Sequence, residues 1–513
     1  MVEAVANGVE DKLVDGLSFK LPSGASYVTN RRSCTFHPQG SNIYESSSGT
    51  RLIRIALTGT DWLDPSTLRV SFDVLNKDGT TGKELRVLGG PHTFFQRGRL
   101  MCNGVTIEDY DHFGRVSEML QMLKSKHSRD NEVAEGFGRL WSEHRFHDTS
   151  IKPQNWTAGS VESTGLTSSA TPGAEPIALA ATGWKSMRDL RKDTFKGIRP
   201  GQIQKVLFKP AFGMFAQDKF LPLQYCPLVL ELELVSDPNQ PIYSSFQQLV
   251  STSTTPANPN AADVYTKAAI DITAANTSTS WSIQNVEVKC DLVTLDNALN
   301  NSYTEHLLSG KSLPINYQTF SSQMQTILNM QKPNVNVTRA LTRLKTVFIT
   351  LDKDIEAYDR PGAKRWNTFW SPMSADNATM AATIDSHTFA HNSEGEFTFG
   401  LQLGSKKFPE YDIKSHSEAM YQLKKALGIQ ASDVHSFDIN ARQYRDQRCI
   451  LAIDMEKVLG ASWTGINTRA GDLLNVKYEY NSTDDSKYGS AMQIVLHSDQ
   501  IMEIRDSGVQ VFD

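Results

Sequence analysis

LTGTDWLDPSTLRVSFDVLN (Leu57–Asn76) and LRVLGGPHTFFQRGRLMCNGVTIEDYDHFGRV (Leu85–Val116) decide the fold class of this chain. In the first stretch Leu68, Val70, Phe72 and Val74 alternate with Thr67, Arg69, Ser71 and Asp73. A period of two turns one set toward a core and the other outward, as a strand with one buried face requires. Asp64-Pro65 just before it reads as a turn, because Pro65 fixes its own φ and has no N–H to give a ladder. The second stretch carries a further strand pair and then a short helix.

The same period recurs along the chain. Ile53, Ile55 and Leu57 alternate with Arg54, Ala56 and Thr58, and Leu228, Leu230, Leu232 and Leu234 alternate with Val229, Glu231 and Glu233. Val286, Val288, Cys290 and Leu292 form another set, with Trp281 and Ile283 in the opposite phase, which predicts a bulge near Gln284-Asn285. Later strands are expected at Val347–Leu351, Val476–Tyr480 and Met492–Leu496. Helices are few. One is expected over Tyr110–Lys124, a second over Asp296–Ser309 ending at Gly310, and a third opened by the capping box Ser415-His-Ser-Glu418 and ending at Gly428. Scattered helices between many strands point to antiparallel sandwiches, not to a parallel sheet with crossover helices.

Two low-complexity stretches, Thr157–Thr182 and Ser251–Asn260, interrupt the pattern. The second is placed in a connection between two strand-rich halves. The expected organisation is an N-terminal arm (1–20), a first half (21–236), a connection (237–278) and a second half (279–513). For 513 residues, two all-β units of this size are ordinary.

Charge bounds the function. The net charge is −5 with 21 % charged residues, so there is no electrostatic footprint for nucleic acid. The segment before Leu17 carries Glu3, Glu10, Asp11 and Asp15 against Lys12 alone, the opposite sign to an arm that neutralises phosphates. Five cysteines (Cys34, Cys102, Cys226, Cys290 and Cys449) have no C-x-x-C spacing and read as free thiols. No apolar N-terminal run resembles a signal peptide, and no stretch of about 18 apolar residues could span a bilayer.

Clusters with catalytic mechanics are missing. Ser309-Gly310-Lys311-Ser312 has the ending of a phosphate-binding loop, but Glu305 stands where the motif needs its first glycine. His144, His147 and Asp148 lack the H-E-x-x-H spacing of a zinc helix. Asp61 and Asp64 could be taken for a glycosidase carboxylate pair, but at a strand corner such residues cap backbone amides. Lys185–Lys196 is a cationic run broken by Asp189 and Asp193, fit for a solvated surface or a subunit contact. No catalytic, cofactor-binding or metal-ligating residues are therefore expected, and the chain is not expected to be an enzyme.

The opening block, together with Gly213–Asp237, Leu292–Ile315 and Leu496–Asp513, resembles the double jelly-roll major capsid proteins of the adenovirus hexon lineage. Within it the likeness is to polinton-like virus and adintovirus capsid proteins. The resemblance implies two consecutive eight-stranded antiparallel jelly rolls with inserted helices and long loops. It also implies a homotrimer that fills a pseudo-hexagonal position in the icosahedral shell of a double-stranded DNA virus. Partners would be neighbouring trimers, penton and minor capsid proteins, with the protein located in the virion. Loops 150–183 and 353–395 would form the outward tower or clasp adjacent subunits, and the acidic N-terminus would lie on the inner face and tether neighbouring trimers or contact minor capsid proteins. The alternative that shares the strand density and exposed loops is a two-domain β-sandwich that binds or degrades carbohydrate. A penton or fibre-base shell protein with one jelly roll is a third reading, which two comparable strand-rich halves argue against.

Overall fold

The computed structural model describes residues 28–125, 197–242, 277–353, 369–372, 396–429 and 448–513, with short breaks at 48–49, 82, 88, 329, 458–463, 470–472, 484 and 486–487. Residues 136, 437, 439 and 444 and the backbones of 247–251 and 265–269 are also described.

The first half runs β1 (Val28–Phe36), β2 (Ile43–Tyr44), β3 (Leu52–Leu57), β4 (Trp62–Asn76), β5 (Phe95–Cys102), β6 (Val105–Asp111) and helix α1 (Phe113–Met122). It continues with β7 (Ile203–Phe208), β8 (Leu221–Pro222), β9 (Leu228–Leu234), the hairpin β10 (Gln247–Ser251) and β11 (Tyr265–Ala269), and β12 (Trp281–Leu295). Two sheets form, in the orders β1-β12-β4-β7 and β3-β9-β5-β6. After α2 (Asn297–Leu308), the second half runs β13 (Leu313–Thr326), β14 (Asn334–Val337), β15 (Leu344–Asp352), β16 (Phe397–Leu403) and β17 (Lys406–Ile413). Then come α3 (His416–Ala426), β18 (Ile450–Asp454), β19 (Leu474–Tyr480), β20 (Ala491–Arg505) and β21 (Gly508–Phe512). Its sheets have the orders β13-β20-β15-β18 and β14-β19-β16-β17.

Counting the eight principal strands of each half, both read 1-8-3-6 and 2-7-4-5. That is the jelly-roll order, used twice, with a helix after the fifth principal strand each time. The mainly β, double jelly-roll expectation holds.

The pairing corrects one boundary. β12, which the sequence reading gave to the second half from residue 279, lies between β1 and β4 in the first half's sheet. Alternation marks a strand but carries no record of its partner. The bulge expected near Gln284-Asn285 is present: the ladder to β4 shifts between Gln284 and Glu287, and Asn285 takes a φ of 51°.

The Asp64-Pro65 corner is a second correction. β4 begins at Trp62 and runs through it; the ladder absorbs Pro65 where Asp64 to Arg69 faces only Asp291 to Lys289. Leu68, Val70, Phe72 and Val74 are fully buried, as their period requires. So are Leu228, Leu230, Leu232 and Leu234.

The helices keep their expected places with trimmed ends. α1 starts at Phe113, not Tyr110, because Tyr110 and Asp111 still pair with β5 and His112 makes the turn at φ 52°. α2 is capped by Asp296, which accepts from the Ala298 N–H at 3.2 Å. Ser415 caps α3 by accepting from Glu418 N–H, and the Glu418 carboxylate accepts in return from Lys414 N–H, one residue before the cap.

The core is not divided cleanly between the sandwiches. Ile315 and Tyr317 of β13, Met502 and Ile504 of β20 and Val509 of β21 pack into the first core. In exchange, Val116, Met119 and Met122 of α1 pack into the second.

Candidate functional site

The residues weighed from sequence are placed as structural parts wherever they are described. Asp61 and Asp64 receive the guanidinium groups of Arg32 and Arg31 of β1, each at 2.6 Å. Asp64 also accepts from Ser66 N–H at 3.1 Å, the expected capping bond. The ion pairs to β1 were not legible in sequence, because they join residues some thirty positions apart. Ser309–Ser312 is the end of α2: Gly310 has a φ of 80° and its N–H bonds to Leu307 O. His144, His147, Asp148, the run 185–196, the segment 1–27 and most of the loops 150–183 and 353–395 lie outside the described residues. Among the described residues no group of three or more His, Cys, Asp and Glu is placed to hold a metal. Nor is any helix among them long and apolar enough to cross a membrane.

One hydrogen-bonded chain has the residue types of a hydrolase relay. Ser371 Oγ lies 2.9 Å from His416 Nε2, and His416 Nδ1 lies 3.2 Å from Glu396 Oε2. Ser371 has no exposed surface, so its hydroxyl is not open to a substrate. The chain instead ties the first turn of α3, where Glu396 also accepts from His416 N–H at 3.0 Å, to the segment that pairs with β15.

The structure's most distinctive chemistry lies where the sandwiches meet, and the sequence reading missed it. In β6 the ladder slips between Leu100 and Met101, leaving Ile107 as an extra residue. The slip lets Ile107, Glu108 and Tyr110 all be buried. Glu108 Oε1 accepts from Tyr110 OH at 2.9 Å and Gly213 N–H at 3.0 Å, and Oε2 accepts from Met214 N–H at 3.2 Å. Burial pushes the Glu108 carboxyl up to about 7, against the pull of the bonds from Met214, Tyr110, Thr319 and Gly213. The Tyr110 hydroxyl accepts from Phe320 N–H of β13 at 3.2 Å. Across the same seam the Tyr317 hydroxyl lies 3.2 Å from Ile107 O and 2.8 Å from Gln500 Oε1.

Contact at the seam is close enough to demand glycine. A Cβ on Gly213 would stand 1.4 Å from Gln318 O of β13. Phe212 beside it stacks on Tyr110 at 5.2 Å, and Tyr110 meets Phe320 edge-on at 6.4 Å.

α1 forms the second half of the seam. Its buried Arg115 donates to Gln493 Oε1 at 3.0 Å and Leu351 O at 3.1 Å, and lies over the Phe369 ring at 4.6 Å. On its first-half side, buried Glu118 meets buried His92 at 2.8 Å, and Gly114 packs on the carbonyls of His92 and Phe95. A helix that belongs by sequence to one sandwich is thus pinned to it and driven into the other. The arrangement locks the two β-sandwiches together, and its titratable groups Glu108, Tyr110, Arg115 and Glu118 are all buried.

No protein-family model matches the chain, and no curated protein matches it. Solved structures do. The Sputnik virophage structure at 3.5 Å aligns over 98 % of this chain and 92 % of its own, at 9 % identity and a TM-score of 0.51. The PBCV-1 virus capsid aligns over 96 % and 98 %, at 12 % identity and a TM-score of 0.50. The Faustovirus major capsid protein aligns over 98 % and 96 %, at 10 % identity and a lower TM-score of 0.46. At such identities the likeness is one of fold. Strand order and whole-length alignment agree: this chain is a double jelly roll built like those in viral capsids.

Proposed function

We propose that the chain is a major capsid protein. The observation that carries this reading is the repeated strand order of two sandwiches joined through a buried seam. A shell needs a building block whose wedges keep a fixed angle, and a seam of buried hydrogen bonds and interleaved side chains supplies it. The units of that block are taken as 28–295 and 313–513, joined by α2.

In this reading three chains close into a homotrimer that presents six similar wedges, a pseudo-hexagonal capsomer of an icosahedral double-stranded DNA virus of the polinton-like kind. Contacts within the trimer are strong and those between trimers weak, so misplaced capsomers leave before the shell closes. Partners are neighbouring trimers, penton and minor capsid proteins, and the site of action is the virion. A net charge of −5 and the acid-rich first sixteen residues fit a protein that does not hold the genome itself.

Native mass measurement tests the reading. A trimer of the 57.1 kDa chain weighs about 171 kDa, and negative-stain images should show hexagonal outlines. A stable monomer that binds glycans would overturn it in favour of the carbohydrate-binding alternative.

A further inference from the structure

β1 is the edge strand of its sheet, and two thiols face each other across its ladder. Cys34 of β1 lies directly opposite Cys290 of β12 in the antiparallel register. Residues in that relation share a face, with Cα atoms about 4.5–5.5 Å apart, inside the roughly 4.4–6.8 Å that a disulfide spans. Both are free thiols. Cys290 is buried in the first core, and Cys34 packs on that core from the sheet edge, half-buried and open to small solutes. The two feel each other's charge: Cys34 is among the causes that raise the Cys290 thiol.

We propose that Cys34 and Cys290 form an oxidation site, a thiol pair that closes into a cross-strand disulfide on meeting a low-molecular-weight disulfide such as oxidised glutathione. The Cys34 thiolate attacks one sulfur of oxidised glutathione, breaks its S–S bond and releases one glutathione thiolate. The Cys290 thiol then gives its proton to that thiolate through water and attacks Cys34 Sγ, displacing the second glutathione. Two protein thiols are oxidised and one glutathione disulfide is reduced to two thiols, so atoms and electrons balance. Burial pushes the Cys290 thiol up to about 12, which keeps it protonated and makes the closing step the slow one.

The reaction is selective. Cys102 and Cys226 also neighbour each other, but both are fully buried, and Cys449 is enclosed in the second core. Closure would join the first and last principal strands of the first sandwich covalently, fixing an edge strand otherwise held by its ladder and by surface polar bonds such as Arg31 and Ser33 to Asp291. The inference needs only the fold. Its use by a shell that leaves a reducing cell for an oxidising exterior rests on the proposed function.

The native full chain is incubated overnight with oxidised glutathione at mildly alkaline pH, then analysed by denatured thiol counting, intact mass and peptide mapping. Two of the five thiols should be lost, the mass should fall by two hydrogens, and one peptide pair should link residues 34 and 290. The unfolding midpoint should rise by on the order of 5 °C. Cys34→Ser should keep its four remaining thiols and its fold. Retention of all five thiols, a glutathione adduct on Cys34 that never resolves, or a link between residues 102 and 226 would each overturn the proposal. Native mass of the same sample separates the two ideas: a disulfide in a monomer sinks the capsomer reading alone.

Discussion

Gly213→Ala is the sharpest test of the seam between the sandwiches. The added methyl would sit 1.4 Å from Gln318 O and 2.6 Å from its carbonyl carbon. An ordinary carbon-to-oxygen contact needs about 3.3 Å, so the two backbones must part by roughly 1.9 Å. Neither atom belongs to a side chain that could swing aside. Parting also breaks the 3.0 Å bond from Gly213 N–H to Glu108 and strains the 3.2 Å bond from Met214. Overpacking of a close-packed site costs about 1–3 kcal/mol, and loss of a donor to a buried carboxylate about as much again. The sum is about 4 kcal/mol, which lowers a thermal midpoint by roughly 10 °C in a unit of this size. Gly310→Ala is the control: its φ of 80° strains a side chain, but nothing lies within 4 Å, so it should cost about 1 kcal/mol. Denaturant and thermal unfolding followed by tryptophan fluorescence read both variants. If Gly213→Ala melts within about 2 °C of the parent while Gly310→Ala costs more, the seam is not the close contact described.

Glu108 makes stability depend on pH. With its carboxyl pushed up to about 7 from 4.5, the folded protein keeps a proton that the unfolded chain has lost between those values. Its contribution is fully present below about 4.5 and is lost as pH rises through about 7, a change of about 3 kcal/mol. Glu108→Gln should remove that decline; parallel curves for parent and variant at about pH 5 and about pH 8 would refute it. Arg115→Met should cost about 2–4 kcal/mol in urea unfolding, because it strips donors from buried Gln493 Oε1 and Leu351 O; a loss under about 0.5 kcal/mol would show that the helix is not anchored there. Arg31→Ala should leave the unfolding midpoint almost where it is, since Arg31 is half-exposed and its ion pairs are screened by solvent; a clear drop in the midpoint would mean that β1 hangs on its ion pairs.

The strands were legible because each needs only its own period: Leu68 to Val74 and Leu228 to Leu234 announce a buried face without knowing what covers it. The helix stops at Gly310 and Gly428 were legible for the same local reason, with φ of 80° and 70°. What stayed hidden depends on partners. β12 carries the alternation of any strand, and only pairing assigns it to β1 and β4. The seam was hidden more deeply. Glu108 and Arg115 are charged, so a polarity reading sends them to solvent, and the extra residue at Ile107 reverses the faces of β6 without any glycine or proline to flag it. Pro65 misled in the other direction, since a bulge absorbs it where a turn was expected.

The place of β12 also sets a timetable for the nascent chain. The Thr29 hydroxyl bonds to Thr294 O, 265 residues further on, so the first strand of the sandwich waits for the last. At about 5–20 residues per second, a ribosome takes roughly 13–53 s to deliver that partner. Throughout, β4 lacks its neighbour on one side, and Leu68, Val70, Phe72 and Val74 lie beside an unpaired edge, the kind of surface on which copies translated side by side can pair wrongly. The chain is thus most exposed to mispairing during synthesis, and chaperone demand should peak before residue 295 emerges.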